Sequence, residues 1–221
     1  MAMQQAVNLS DLGSNPGGGA RRNMKDLLTI VEENSYLLFT ESGHDGTDKH
    51  SLTAELGHDY VRGFYNEEFK KYVDKEIRLL EIGAYTGASL ALWQKYFLKG
   101  EIVGLERYDN LVQEKYSSLD RVIVGICDAY LPEVANQLGT FDIIIDDGSH
   151  DLPDLKTCIE LYLPLVREGG VLVLEDLADT SYFDELIAVV PEVYKDNIEC
   201  FDLRKNIGRV DDLLMVIRKQ V

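Results

Sequence analysis

The sequence predicts an α/β protein built on a doubly wound, mostly parallel sheet of seven strands. Short apolar segments alternate with amphipathic segments from residue 77 onward, which is typical of parallel strands covered by helices on both faces. Crossovers in such sheets are right-handed, which gives the doubly wound arrangement. The last two apolar segments are separated only by residues near 206–212. We therefore expect them to form an antiparallel hairpin at one edge of the sheet.

Each predicted element follows from a local pattern. Strands are expected at 77–83, 101–109, 121–130, within 141–150, at 171–177, near 197–205 and at 211–219. In the segment 88–100, Leu90, Trp93 and Phe97 share one helical face. Further helices are expected near 131–139, over 151–170 and near 181–190. The second of these, over 151–170, has proline near its start and Gly-Gly at its end, as helix boundaries prefer.

The first fifty residues are predicted to be a partly disordered extension of helix and loop, ahead of a single domain spanning 51–221. The segment 14–23 is rich in turn residues, and 24–39 has helical spacing of its leucines. A second helix is expected over 52–73, interrupted near Gly57 or Gly63.

Composition restricts the partners. The net charge is −17, which argues against nucleic acid and against anionic membranes. The three cysteines form neither a CxxC motif nor an even set, so we expect buried thiols in a reducing compartment. With no signal-peptide pattern at the N-terminus and no membrane-length apolar run, the predicted location is the cytoplasm. Assembly into a homo-oligomer is left open.

The segment LLEIGAYTGAS (79–89) joins the first strand to a helix, where α/β sheets bind nucleotide-like ligands. Gly83 and Gly87 would let the backbone approach such a ligand. Their spacing is not the GxGxxG that binds a pyrophosphate, and Glu81 suits a ligand with an ammonium or sulfonium group better. An ordinary strand–helix turn is the alternative interpretation.

Two further acids follow strands at the same edge. Glu106 ends the second strand, 23 residues after Gly83, a position that commonly binds both hydroxyls of a ribose. Asp128 ends the third strand and is a candidate contact on the adenine side. A surface position for Glu106 and a helix cap for Asp128 are the alternatives.

Four acids end strands four and five: Asp146 and Asp147, then Glu175 and Asp176. Neighbouring strands lie about 4.8 Å apart, so these carboxylates converge if the strands are adjacent, and a divalent cation is the natural compensation. His150 follows on the same turn and could take a proton near neutral pH. Capping of the next helices is the alternative. His58 either lines a pocket or lies on the surface.

At this point the residues resemble a known family. The matching segments are LLEIGAYTGASLALWQKYF (79–97), EIVGLERYD (101–109), FDIIIDDGSH (141–150) and GGVLVLEDL (169–177). They look like class I S-adenosylmethionine-dependent methyltransferases and, more narrowly, like the metal-dependent macrocin- and mycinamicin-type sugar O-methyltransferases. GTDK (46–49) and GHDY (57–60) resemble the N-terminal motif of that family.

The resemblance implies a Rossmann-like methyltransferase fold, S-adenosylmethionine and Mg²⁺ as cofactors, and a small-molecule hydroxyl as acceptor. It implies that Asp147, Glu175 and Asp176 bind the metal and that His150 is the general base, with Asp147 beside it in the catalytic site. The predicted cofactor contacts are Glu81, Gly83, Ala84, Tyr85, Gly87, Ser89, Glu106, Arg107, Asp128, Ala129 and Asp146. The alternatives are a nicotinamide-dependent oxidoreductase and a catalytically silent ligand-binding member of the fold.

Overall fold

A computed structural model describes residues 25–41 and 45–220 of the chain. The predicted turn-rich segment 14–23 lies outside these residues. The strands are β1 (Arg78–Ile82), β2 (Glu101–Glu106), β3 (Val122–Ile126), β4 (Phe141–Asp146), β5 (Val166–Leu174), β6 (Ile198–Asp202) and β7 (Leu213–Arg218). The α-helices are α1 (Leu27–Glu33), α2 (Asn66–Glu68), α3 (Ala88–Tyr96), α4 (Glu114–Ser117), α5 (Pro132–Ala135), α6 (Leu152–Tyr162), α7 (Ser181–Val189) and α8 (Arg204–Ile207).

The seven strands form one sheet in the order β3-β2-β1-β4-β5-β7-β6. The first five are parallel, whereas β7 is antiparallel to both β5 and β6. The predicted fold class and the antiparallel terminal pair are confirmed. The chain first builds outward from β1 through β2 to β3, then returns to place β4 on the other side of β1. Ligands of α/β sheets bind at such a switch point, outside the carboxyl ends of the strands.

Helical elements cover both faces of the sheet. On one face, α1, α3 and the helical segment 61–72 enclose a core with Tyr65, Phe69 and Trp93 at its centre. On the other face, α6 and α7 bury Leu155 and Leu186 against the strands. The central strands are buried almost throughout because each faces a packed layer on both sides. Within the described ranges, no helix is long and apolar enough to cross a membrane.

Three predicted helices have different bounds in the structure. The helix predicted over 151–170 ends at Tyr162, and Val166 already pairs with Phe141 in the sheet. Gly169 has φ of +78° and lies inside β5, so the Gly-Gly pair does not end a helix. The helix expected over 24–39 ends at Glu33.

The helix expected over 52–73 begins only at Val61, after the predicted break at Gly57, and continues through Gly63. An added Cβ at Gly63 would lie 2.6 Å from a Leu203 methyl group. Gly63 therefore serves close packing against the loop after β6 and does not interrupt the helix.

Candidate active site

Two adjoining cavities lie at the carboxyl ends of the strands and share Gly83 and Gly148. The first has a volume of about 270 Å³ and the second about 220 Å³. Among the predicted cofactor contacts, the first is lined by Gly83, Ala84, Tyr85, Ser89 and Glu106. The second is lined by Gly83, Arg107, Asp128 and Ala129. The predicted sites are therefore brought to one edge of the sheet.

The loop after β1 approaches the loop after β4 closely. Gly83 has φ of +83°, and an added Cβ would lie 1.9 Å from the carbonyl oxygen of Asp147. Gly87 has φ of +89° and begins α3 against Tyr116, and it does not line either cavity. Gly83 therefore lines the cavities, whereas Gly87 allows close packing against Tyr116.

Gly83→Ala is expected to lose at least about 2 kcal/mol more folding free energy than Gly169→Ala. Both positions have positive φ, so both variants carry the same kind of backbone strain of roughly 1 kcal/mol. Only Gly83 is crowded, because nothing lies within 4 Å of a Cβ added at Gly169. Urea unfolding of the two variants beside wild type measures the difference. Equal losses would show that the close approach to Asp147 is easily relieved.

Glu106 is held by backbone donors at the end of β2. Its carboxylate accepts hydrogen bonds from the N–H groups of Tyr85 (2.8 Å), Arg107 (2.8 Å) and Tyr108 (3.0 Å). A carboxylate has about four acceptor positions, so capacity remains toward the first cavity. Contact with ribose hydroxyls stays a prediction.

Asp128 lies in the second cavity, where Arg107 Nη2 is 2.8 Å from its Oδ2. Its Oδ1 accepts a hydrogen bond from the Tyr130 N–H, while α5 begins later, after Leu131. The helix-cap alternative for Asp128 therefore does not describe its position. Its contact with the adenine side stays a prediction.

Glu81 is fully buried beneath the glycine loop. Its Oε2 accepts hydrogen bonds from Ser89 (2.7 Å) and Trp93 (3.2 Å), and its Oε1 lies 3.0 Å from Lys49 Nζ. The ammonium that Glu81 meets in the structure is therefore that of Lys49, and Glu81 lines neither cavity. Its direct contact with the cofactor stays a prediction.

Lys49 is a site residue that the sequence patterns did not reveal. Only 1% of its side chain is exposed, and its ammonium contacts Glu81, Asp147 (2.8 Å) and Glu175. Burial lowers the pKa of Lys49, but the three carboxylates raise it well above its ordinary value. Lys49 is therefore a permanent positive charge among the predicted acids.

His58 is a second buried cation. Its Nε2 lies 3.2 Å from Asp176 and 3.8 Å from Asp48, and its Nδ1 lies 3.5 Å from Asp212. Burial lowers the pKa of His58, but Asp176 and Asp212 raise it to about 10. The side chain is 1% exposed and stacks on Tyr60. His58 is thus not a surface residue, and it lines neither of the two cavities.

The four acids at the ends of β4 and β5 contact different partners. Asp147 faces Lys49 and the first cavity, and Glu175 accepts hydrogen bonds from Tyr65 (2.6 Å) and Lys49. Asp176 faces His58 and the cavity and accepts a hydrogen bond of 2.6 Å from Tyr60. These interactions are not helix caps, so the capping alternative does not describe this cluster.

Asp146 does not line the first cavity and is fully buried. Its Oδ1 accepts hydrogen bonds from the Tyr130 hydroxyl (2.8 Å) and the Gly148 N–H (3.2 Å). The Tyr130 oxygen in turn accepts from the Ser149 N–H. Asp146 therefore braces the turn that carries Ser149 and His150, and a direct cofactor contact stays a prediction.

His150 lies on that turn with φ of +59°, and it lines the first cavity. Its Nε2 is 4.0 Å from both Asp147 Oδ1 and Asp176 Oδ2. Its Nδ1 has no hydrogen-bond partner among residues 25–41 and 45–220. The imidazole therefore faces the space between the two predicted metal-binding aspartates.

Comparison with known proteins identifies the domain that carries this geometry. Residues 80–177 match the sequence profile of the family described as "Methyltransferase domain". This segment of the chain is therefore similar to a methyltransferase domain. The match includes the glycine loop and the ends of β2, β4 and β5, so all of the predicted cofactor and metal residues lie within it.

Two curated relatives match about half of the chain. Demethylmacrocin O-methyltransferase of Streptomyces fradiae is 36% identical over 124 residues, which cover 51% of this chain and 30% of the relative. Mycinamicin VI 2''-O-methyltransferase of Micromonospora griseorubida is 32% identical over 126 residues, with the same coverage. The matched part spans about a third of the length of these relatives.

The solved structure of MycE methyltransferase, in complex with Mg, S-adenosylhomocysteine and mycinamycin VI, superimposes with a TM-score of 0.63 at 22% identity. The superposition covers 90% of this chain and 55% of that chain. At this identity, the superposition shows that the two chains share a fold.

The donor set at the carboxyl ends of β4 and β5 fits a divalent cation. Ligand atoms of Asp147, His150 and Asp176 lie within 4.8 Å of one another, and carboxylate oxygens are the ligands such hard cations prefer. Asp48, which lines the same cavity, was not predicted. Burial, together with Asp147 and Asp176, raises the pKa of Asp48 to about 6. This mutual repulsion is what a bound cation would relieve.

Proposed function

We propose that the chain is an S-adenosylmethionine-dependent, Mg²⁺-dependent O-methyltransferase that acts on a sugar hydroxyl of a small natural product. The observation that carries the proposal is the convergence of Asp147, Asp176 and His150 on one cavity that continues into the glycine loop. The names of the curated relatives support the same reaction and acceptor class. Because the matched region spans only part of those relatives, the acceptor is assigned here by class.

The cofactor is proposed to extend across both cavities. The adenine side would occupy the second cavity beside Asp128 and Ala129, and the methionine side would reach the first cavity past Gly83. Glu106 lies between them, with acceptor capacity for the ribose hydroxyls. Gly83 and Gly148, which line both cavities, would pass beneath the cofactor.

Asp147 and Asp176 would hold Mg²⁺, because both face the first cavity with carboxylate oxygens. Both oxygens of Glu175 already accept hydrogen bonds from Tyr65 and Lys49, so its part in metal binding stays a prediction. When bound, the cation supplies Lewis-acid chemistry that lowers the pKa of an acceptor hydroxyl. His150 would take the hydroxyl proton at Nε2, and the cavity walls would hold the oxygen in line with the methyl group.

Transfer of radiolabelled methyl groups from S-adenosylmethionine tests the proposal directly. With a panel of deoxysugar-bearing macrolides and aromatic polyketides, we expect labelled product with Mg²⁺, none with EDTA, and recovery when Mg²⁺ is restored. Undiminished transfer in EDTA would refute the metal role. Thermal stabilisation by NAD⁺ and none by S-adenosylhomocysteine would favour the oxidoreductase alternative instead.

The wider assignments are also proposals. A net charge of −17 supports a small-molecule acceptor over nucleic acid. The three cysteines carry free thiols, which supports a cytoplasmic location, although only Cys158 is buried as predicted. Homo-oligomer formation stays a prediction that sedimentation velocity would test.

A further inference from the structure

The ammonium of Lys49 occupies a position that resembles a metal site. Oxygen atoms of Glu81, Asp147 and Glu175 lie within 4.8 Å of one another, and Lys49 Nζ lies among them. Glu81 and Glu175 are fully buried, and Lys49 is 1% exposed. This set is separate from the cavity-facing set of Asp147, His150 and Asp176, and only Asp147 belongs to both.

Neutral donors orient two of these carboxylates independently of Lys49. Glu81 Oε2 is held by Ser89 and Trp93, which turns Oε1 toward Lys49. Glu175 Oε1 is held by Tyr65, which turns Oε2 toward Lys49. Two of the three carboxylates around the ammonium are therefore held by neutral partners that would remain if the lysine side chain were shortened.

Three buried carboxylates without a cation would be strongly unfavourable. Asp147 also faces the cavity through its Oδ1, which lies 4.0 Å from His150, while its Oδ2 is held by Lys49. Lys49 thus fixes the orientation of the acid that the two sets share. Its ammonium also occupies the space among Glu81, Asp147 and Glu175, which we call the inner place.

We propose that Lys49 is the resident cation of a two-cation centre and a positioning residue for Asp147, with its ammonium taking the inner place that a divalent ion would otherwise occupy. The outer place, on Asp147 and Asp176, is the one used by the exchangeable cation. Only this outer place rests on the proposed function. The inner place rests on the contacts of Lys49 alone.

Counting bound Mn²⁺ by electron paramagnetic resonance tests the proposal without any turnover. Lys49→Ala vacates the inner place and is expected to bind one more Mn²⁺ per chain than wild type. Lys49→Met removes the charge but fills the space with an apolar stem, so it should gain none. The surface variant Lys156→Ala, whose lysine pairs with Glu185, should match wild type. Adding Glu175→Gln to Lys49→Ala should remove the gained ion.

A folded Lys49→Ala protein with the wild-type Mn²⁺ count would overturn the proposal, as would an equal gain in Lys49→Met. If Lys49→Ala does not fold without metal, refolding followed by circular dichroism decides. Recovery in Mn²⁺ but not in matched NaCl supports the inner place, and recovery in neither overturns it. A wild-type count of zero with a gain of one in Lys49→Ala would contradict the outer metal site of the proposed function, while the inference about Lys49 would stand.

Discussion

Replacing His150 with alanine is expected to lower kcat by about 10²- to 10⁴-fold, the usual contribution of a positioned general base. Binding of S-adenosylhomocysteine should change little, because the glycine loop, Glu106 and the second cavity are left intact. His150 Nε2 faces the space between Asp147 and Asp176, 4.0 Å from each, where the acceptor hydroxyl is proposed to lie. Steady-state kinetics with calorimetric titration of S-adenosylhomocysteine separates the two effects.

The backbone at His150 requires a second variant. Its φ of +59° is left-handed, and alanine there adds strain of roughly 1–2 kcal/mol that could disturb the turn. His150→Asn removes the base but tolerates this conformation. An equal loss of kcat in both variants assigns the effect to the missing imidazole. A near-normal kcat in His150→Asn would remove His150 as the base.

Local patterns were sufficient to predict the sheet and the edge at which the site lies. Strands β4 and β5 are short apolar segments bounded by polar residues, so their ends could be predicted from the sequence alone. The parallel register then places Asp146 beside Ile82 and Leu174, which brings the acids that follow together. The predicted start of β5 at residue 171 was wrong. Val166 continues the amphipathic pattern of the preceding helix, and only its pairing with Phe141 makes it part of a strand.

The buried residues that pair with these acids could not be predicted from local patterns. Lys49 lies 98 residues from Asp147 in sequence, within a polar segment that has no periodicity. Asp48 and His58 reach the site in the same way, from the motifs GTDK and GHDY. The family resemblance of these motifs was the available signal, but it did not say which partner each side chain would meet. The predicted domain begins at residue 51, so it does not include Asp48 and Lys49. This domain boundary stays a prediction.

Alanine substitutions at the adjacent residues Asp146 and Asp147 are expected to have opposite effects. One should mainly reduce folding stability, and the other should mainly reduce metal binding. Asp147→Ala should weaken Mn²⁺ binding at least about 10-fold, because it removes a proposed ligand. Its folding stability should change less, since Lys49 keeps Glu81 and Glu175 as partners. Asp146→Ala should retain the metal but lose about 1–3 kcal/mol, because the Tyr130 hydroxyl and the Gly148 N–H lose their acceptor.

Each variant is the control for the other, because both remove one carboxylate from adjacent positions at the end of β4. Urea unfolding in EDTA measures stability without a metal contribution, and Mn²⁺ titration of the folded proteins measures the site. Side-chain exposure supports the division of roles: Asp147 is 19% exposed toward the cavity, whereas Asp146 is fully buried. Equal loss of Mn²⁺ affinity in both variants would mean that the bracing of the turn by Asp146, and not ligation by Asp147 alone, determines the metal site.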